Sequence, residues 1–210
     1  MSTSVEQKMN EIYEDFCFIH ALLEEAKVNP TTDYEKINLT YFQIFCTHYE
    51  SFYILLRSNH FSSGILLMRS MLELYVKSYY LEFIAKNKNE EVMDYLDGKI
   101  KYPSFFAMVE ELGEFKSTSG DTFGNFFSQF TKSQLASYEK FSFFSHGSGE
   151  YIKFFYKHGK INFSREQISD VIETAKGMFL TFAMLLFAVQ GKEAQLEKVL
   201  EKFNSDESKT

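Results

Sequence analysis

Ser62-Ser63-Gly64-Ile65-Leu66-Leu67-Met68-Arg69-Ser70-Met71-Leu72-Glu73-Leu74-Tyr75-Val76-Lys77-Ser78-Tyr79-Tyr80-Leu81 is the stretch that decides the fold. Apolar residues cover nearly every side of it, and Arg69, Glu73 and Lys77 interrupt it at steps of four. A helix hydrophobic almost all round belongs in the middle of a bundle. The pattern runs on to about residue 88, so a central helix is expected over 62–88.

The neighbours on the N-terminal side follow from this helix. Asn59 and His60 break the pattern before it, and the preceding segment over 34–58 is again apolar on most sides. In that segment Phe42, Phe45, Tyr49, Phe52, Tyr53 and Leu56 read as the wetter edge of a broad stripe. So short a tie makes the two helices antiparallel neighbours. Further back, Met9, Ile12, Phe16, Ile19, Leu22 and Leu23 recur at helical spacing over 6–27. Glu11, Glu14, Asp15, Glu24 and Glu25 fall on the opposite, wet face. Asn29-Pro30 stops that helix, and Thr31-Thr32-Asp33 offers a cap for the next.

On the C-terminal side the pattern is more broken. Short helices are expected over 92–96 and 104–112, and Phe123, Phe126, Phe127 and Phe130 form one helical face suited to core packing. A helix over 131–146 closes at Gly147. Over 151–163, lysines alternate with Ile152, Phe154, Tyr156 and Ile161 around His158-Gly159, which predicts a small β-hairpin. Ser164 and Gln167 have the spacing of a capping box, opening a last long core helix to Val189. Gly191 ends or kinks it before an amphipathic tail to Phe203. The expected architecture is all-α: four to five long helices with a hairpin, one domain over 1–203, and a disordered tail over 204–210.

Composition agrees with that class and excludes others. The 210 residues are 45% apolar, with 24 Phe and 13 Tyr, which rules out intrinsic disorder. The net charge of −7 argues against a bulk nucleic-acid or anionic-membrane binder and against sequence-specific DNA recognition. Cys17 and Cys46 form no disulfide framework, no secretory leader is visible, and the most apolar run, 178–189, falls short of the ~20 residues a membrane span needs. A cytoplasmic protein with no membrane association is the expectation. His20, His48 and His158 have no ligand-spaced partner and no phosphate loop or nucleophile elbow is present, so neither metal nor cofactor is expected.

Two polar constellations stand out because arginine and histidine are scarce. Arg69 and Glu73 lie one turn apart on the most apolar helix, which reads either as a buried structural ion pair or as a polar site cut into the core. Tyr138, Ser142 and His146 lie at steps of four along a second stripe, followed by the Gly147-Ser148-Gly149 turn. His146 would then sit in a last helical turn, where the dipole favours its protonated form. Lys153, amid aromatic residues, is a candidate RNA contact, and lysine on an edge strand is equally a guard against aggregation.

Leu67-Met68-Arg69-Ser70-Met71-Leu72-Glu73, together with Tyr138-x3-Ser142-x3-His146-Gly147-Ser148, resembles a widespread family of uncharacterised bacterial helical proteins carrying Arg-x3-Glu and Tyr-x3-Ser-x3-His segments. The likeness covers roughly residues 40–150. More distantly it resembles HEPN proteins, helical bundles that include RNA-cleaving toxins and phage-defence factors. Their arginine and histidine lie four to six residues apart on one helix, whereas here only Arg57-Ser58-Asn59-His60 comes near that spacing. The resemblance implies catalytic roles for Arg69, Glu73 and His146, binding roles for Tyr138, Ser142, Ser148 and Lys153, and RNA or a nucleotide as ligand. The other reading is a non-catalytic helical module that binds another protein. Phe179, Phe187, Leu196, Val199 and Leu200 look able to present a second apolar stripe, so a homodimer or a dedicated protein partner on the C-terminal helices is expected.

Overall fold

A computed structural model describes residues 3–132, 149–159 and 163–207. Helix α1 spans Thr3–Ala26, α2 Asp33–Arg57 and α3 Phe61–Tyr80, the last continuing through a π-helical turn at Leu81–Ala85. Short helices α4 (Val92–Leu96), α5 (Phe105–Glu114) and α6 (Gln129–Lys132) follow. Then come α7 (Gly149–His158), α8 (Arg165–Val189) and α9 (Glu193–Glu207).

The local signals explain the boundaries. Thr32 caps α2 by accepting from the Glu35 backbone N–H, while the Glu35 side chain accepts from the Thr32 backbone N–H in return. Ser164 and Gln167 close the expected box on α8. Asn59 takes a positive φ of 62°, and the His60 N–H donates to the Leu55 carbonyl at 2.8 Å. That six-to-one bond terminates α2 and turns the chain straight into α3. Gly64 lies where α3 meets α2: a methyl group there would come within 3.3 Å of the Leu56 side chain. The same closure recurs at Gly191, where Lys192 N–H donates to Phe187 O. Beyond it α9 runs past Phe203 to Glu207, further than the apolar pattern alone suggests.

Helix α8 is the axle of the bundle, packing against α1, α2, α3 and α9, while α2 and α3 form the closest pair. Phe179 of α8 stacks 4.3 Å from the Tyr49 ring and also faces Phe16, Phe42 and Phe45. Phe182 meets Phe42, Phe45 and Tyr75 edge-on. By length and composition α8 would suffice to cross a membrane, and 67% of its most apolar stretch is buried inside the fold.

Five expectations change here. Phe42, Phe45, Tyr49, Phe52 and Leu56 are the innermost stripe of α2 rather than its wet edge, and Ile44 and Ile54 face outward instead. Asp15 is fully buried, because it lies in the inward stripe of α1 between Ile12 and Ile19, where Lys202 of α9 reaches it. Residues 151–158 of the segment read as a hairpin belong to helix α7, and no strand forms among the described residues. Gly159, at φ 68°, receives the chain after a helix, with its N–H donating to the Phe155 carbonyl at 2.7 Å. An X-Gly pair serves a tight hairpin turn and a helix end equally well, and two strands alone make a marginal structure. Finally, Phe179, Phe187 and Val199 are buried within the chain, so the C-terminal helices present no continuous second stripe; only Leu200 of that set is exposed. The four phenylalanines of 123–130 sit in turns and a single short helix, with Phe127 and Phe130 buried against Tyr75.

Candidate functional site

Arg69, Glu73 and Lys77 form an ion ladder up one side of α3. Arg69 Nε donates to Glu73 Oε1 at 3.3 Å, and Lys77 Nζ lies 3.8 Å from Glu73 Oε2. The ladder is only part-closed: the Arg69 and Glu73 side chains keep 20% and 31% of their exposure. Arg69 and Lys77 thus share the Glu73 carboxylate. Partial shielding from water strengthens such pairing relative to a surface site.

The ladder leads into a tyrosine cluster. Lys77 Nζ sits over the Tyr102 ring at 5.2 Å, and the Tyr102 and Tyr41 hydroxyls hydrogen-bond at 2.9 Å. Tyr95 packs 4.7 Å from Tyr102 and donates to a Glu90 carboxylate oxygen, and Tyr34 donates to the Glu90 backbone carbonyl at 2.6 Å. Burial raises the Tyr102 and Tyr41 phenols above their ordinary range. Burial, then Glu90, raises Tyr95 and pushes Tyr34 up to about 12. The folded state therefore holds these phenols neutral where the unfolded chain ionises, so their contribution is complete below about pH 10 and is lost as pH climbs above it. In a titration from about pH 8 to about pH 12, the share of tyrosinate absorbance due to these buried phenols should appear only together with the loss of helical CD. Tyrosinate absorbance that reaches its full amplitude near pH 10 on an intact fold would contradict the packing described.

Of the residues singled out in the sequence, the structure joins Arg69 and Glu73 as expected. Tyr138, Ser142, His146 and Ser148 lie outside the described residues. Lys153 stands exposed on α7 rather than on a strand edge. Lys77 was visible as the next step of the ladder, but Tyr41, Tyr95 and Tyr102 come from separate segments with no shared motif. No cluster of His, Cys, Asp or Glu suited to a metal occurs among the described residues.

Sequence reading also missed a buried charge cluster and a groove. Asp15 of α1 meets Lys202 of α9 at 2.7 Å and Lys176 of α8 at 3.9 Å, and Lys176 also reaches Glu11. Helices α1 and α2 part along their outer side to leave an open groove of about 530 Å³ floored by Phe16, Phe42 and Cys46. A second hollow of about 230 Å³ continues past Phe16 and Glu50 to Tyr13, Tyr53 and Ile54. Burial pushes the Cys46 thiol up to about 12, so this side chain lines the groove as an inert, neutral wall.

Fold and site together define an all-α bundle whose central helix carries a part-open, cation-rich ladder. Residues 42–206 match the model of a family described as a family of unknown function (DUF6988), and the chain belongs to that family. The matched span includes the ladder and leaves α1 outside it. No curated protein and no solved structure matches the chain.

Proposed function

We propose that the chain is a HEPN-like helical effector of a bacterial defence or toxin–antitoxin module, acting on RNA or a nucleotide in the cytoplasm. The observation that carries this reading is the ladder. A protein with three arginines keeps one of them, Arg69, largely shielded on a core helix beside Lys77, two cation types suited to phosphate. In this reading Arg69 stabilises charge developing on a phosphate, and Glu73 holds the guanidinium in place. His146 moves a proton, while Tyr138, Ser142, Ser148 and Lys153 bind and orient the ligand.

Inducible expression in a bacterium, with growth and RNA integrity as readouts, tests it. The parent should arrest growth, and Arg69→Ala and His146→Ala should each abolish the arrest. Arg69→Ala should keep the helical CD of the parent, which separates loss of activity from loss of fold. An Arg69→Ala chain as active as the parent would rule the reading out.

A second reading, a non-catalytic protein-interaction module, is favoured by the open apolar groove between α1 and α2. Under it the ladder is structural, and substitutions in the groove, not at Arg69, alter partner binding.

A further inference from the structure

We propose that helix α7 of one copy of this chain docks in the α1–α2 groove of a second copy. The proposal rests on the interaction reading and names the partner. Ile152 and Tyr156 lie one turn apart on α7 and are 59% and 89% exposed, with Phe155 exposed between them. Residues at these steps share one helical face, the arrangement an amphipathic helix uses to enter a groove. Among the described residues no other helix packs broadly against α7. Large apolar side chains left this open mark an interaction surface.

Three properties of the groove fit this occupant. Its length along α1, from Tyr13 to Val28, is about 22 Å, against about 15 Å for the ten residues of α7. Its lining sets aromatic and aliphatic side chains such as Phe16, Leu23 and Phe42 among polar ones, and Tyr13 and Ile54 are exposed in the hollow that continues it. Its carboxylates, Glu24 and Glu50, have no ion pair among the described residues. Lys153 and Lys157, both exposed, run along one edge of the α7 stripe and supply the opposite charge. Lys27 at the far end of the groove keeps the carboxylates toward its middle as the attractive part.

Each copy offers one helix and one groove, so two copies make the contact twice and close a twofold dimer. This moves the expected dimer contact from the C-terminal helices to α7 and the α1–α2 groove.

Sedimentation equilibrium of the full chain, at concentrations up to the order of 100 µM, tests the proposal. A dimer is expected, weakened at least about tenfold by Tyr156→Ser and by Ile152→Ser, with melting temperatures held close to the parent because both side chains stand in solvent. A chain carrying Lys153→Glu and Lys157→Glu, and one carrying Glu24→Lys and Glu50→Lys, should each fail to dimerise alone and should associate when mixed. A monomer throughout, or a dimer indifferent to Tyr156→Ser, overturns the proposal. A photo-crosslinker at Ile54 that joins a monomeric chain to a different protein also overturns it, while leaving the interaction reading standing.

Discussion

Phe179→Ala should lower the free energy of unfolding by about 4 kcal/mol, the largest single loss expected in this molecule. The ring is fully enclosed on the axle helix and is met by rings from both α1 and α2. Its removal gives up the transfer energy of the side chain and leaves a cavity whose aromatic walls cannot collapse together. The ring–ring contacts add about 0.5–1.5 kcal/mol each where geometry is good, and the Tyr49 stack at 4.3 Å is the closest of them. For a chain of this size the loss corresponds to a fall in Tm of about 8–16 °C. Phe179→Leu, which keeps most of the volume, should cost no more than about 1.5 kcal/mol. Calorimetry of the two variants checks the pair of values. A Phe179→Ala loss below about 1 kcal/mol would mean that α8 does not hold α1 and α2 together as described.

Lys202→Met should cost about 3 kcal/mol. Asp15 is almost sealed from water, and Lys202 is its near partner at 2.7 Å. Removing one member of a buried pair strands the other's charge, and that penalty exceeds what the pair itself contributes. The figure sits at the low end of the range because Lys176 stays within 3.9 Å and the Lys202 side chain is 24% exposed. The combined Asp15→Leu and Lys202→Met chain should return to within about 1 kcal/mol of the parent, since no charge is then left unpaired. Denaturant unfolding of the single and double variants separates the two effects. A single variant indistinguishable from the parent would show that this cluster does not fasten α9 to the bundle.

How much of this was legible in sequence differs by kind of signal. Periodicity and caps carried the long helices: Thr32 and Ser164 start α2 and α8 where expected, because a cap is a local interaction. The inner face of α2 was misassigned because apolar residues lie on most of its sides, and only the position of α8 selects which of them face inward. Asp15 was taken for a surface carboxylate for the same reason: its neighbours in sequence are wet, and its burial depends on a helix nearly the whole chain away. The hairpin failed on a true ambiguity, since Gly159 satisfies a positive φ in either structure. At the candidate site, Arg69, Glu73 and Lys77 were readable because a helix places every fourth residue in line. The tyrosines that extend the ladder were not, because Tyr41 and Tyr102 meet only through the tertiary fold.

We propose that the α3 ladder serves a ligand and not the fold. Replacing both charges of its first pair, Arg69→Met with Glu73→Leu, tests that claim and leaves only the part-exposed Lys77, which keeps its place over the Tyr102 ring, without this carboxylate. An apolar pair of similar volume in place of an ion pair is close to neutral for stability. The double variant should therefore melt within a few degrees of the parent, about 1 kcal/mol, and should have lost the growth arrest and RNA damage caused by the parent. A variant that folds equally well and acts equally well would contradict the claim and leave the ladder as a purely structural element.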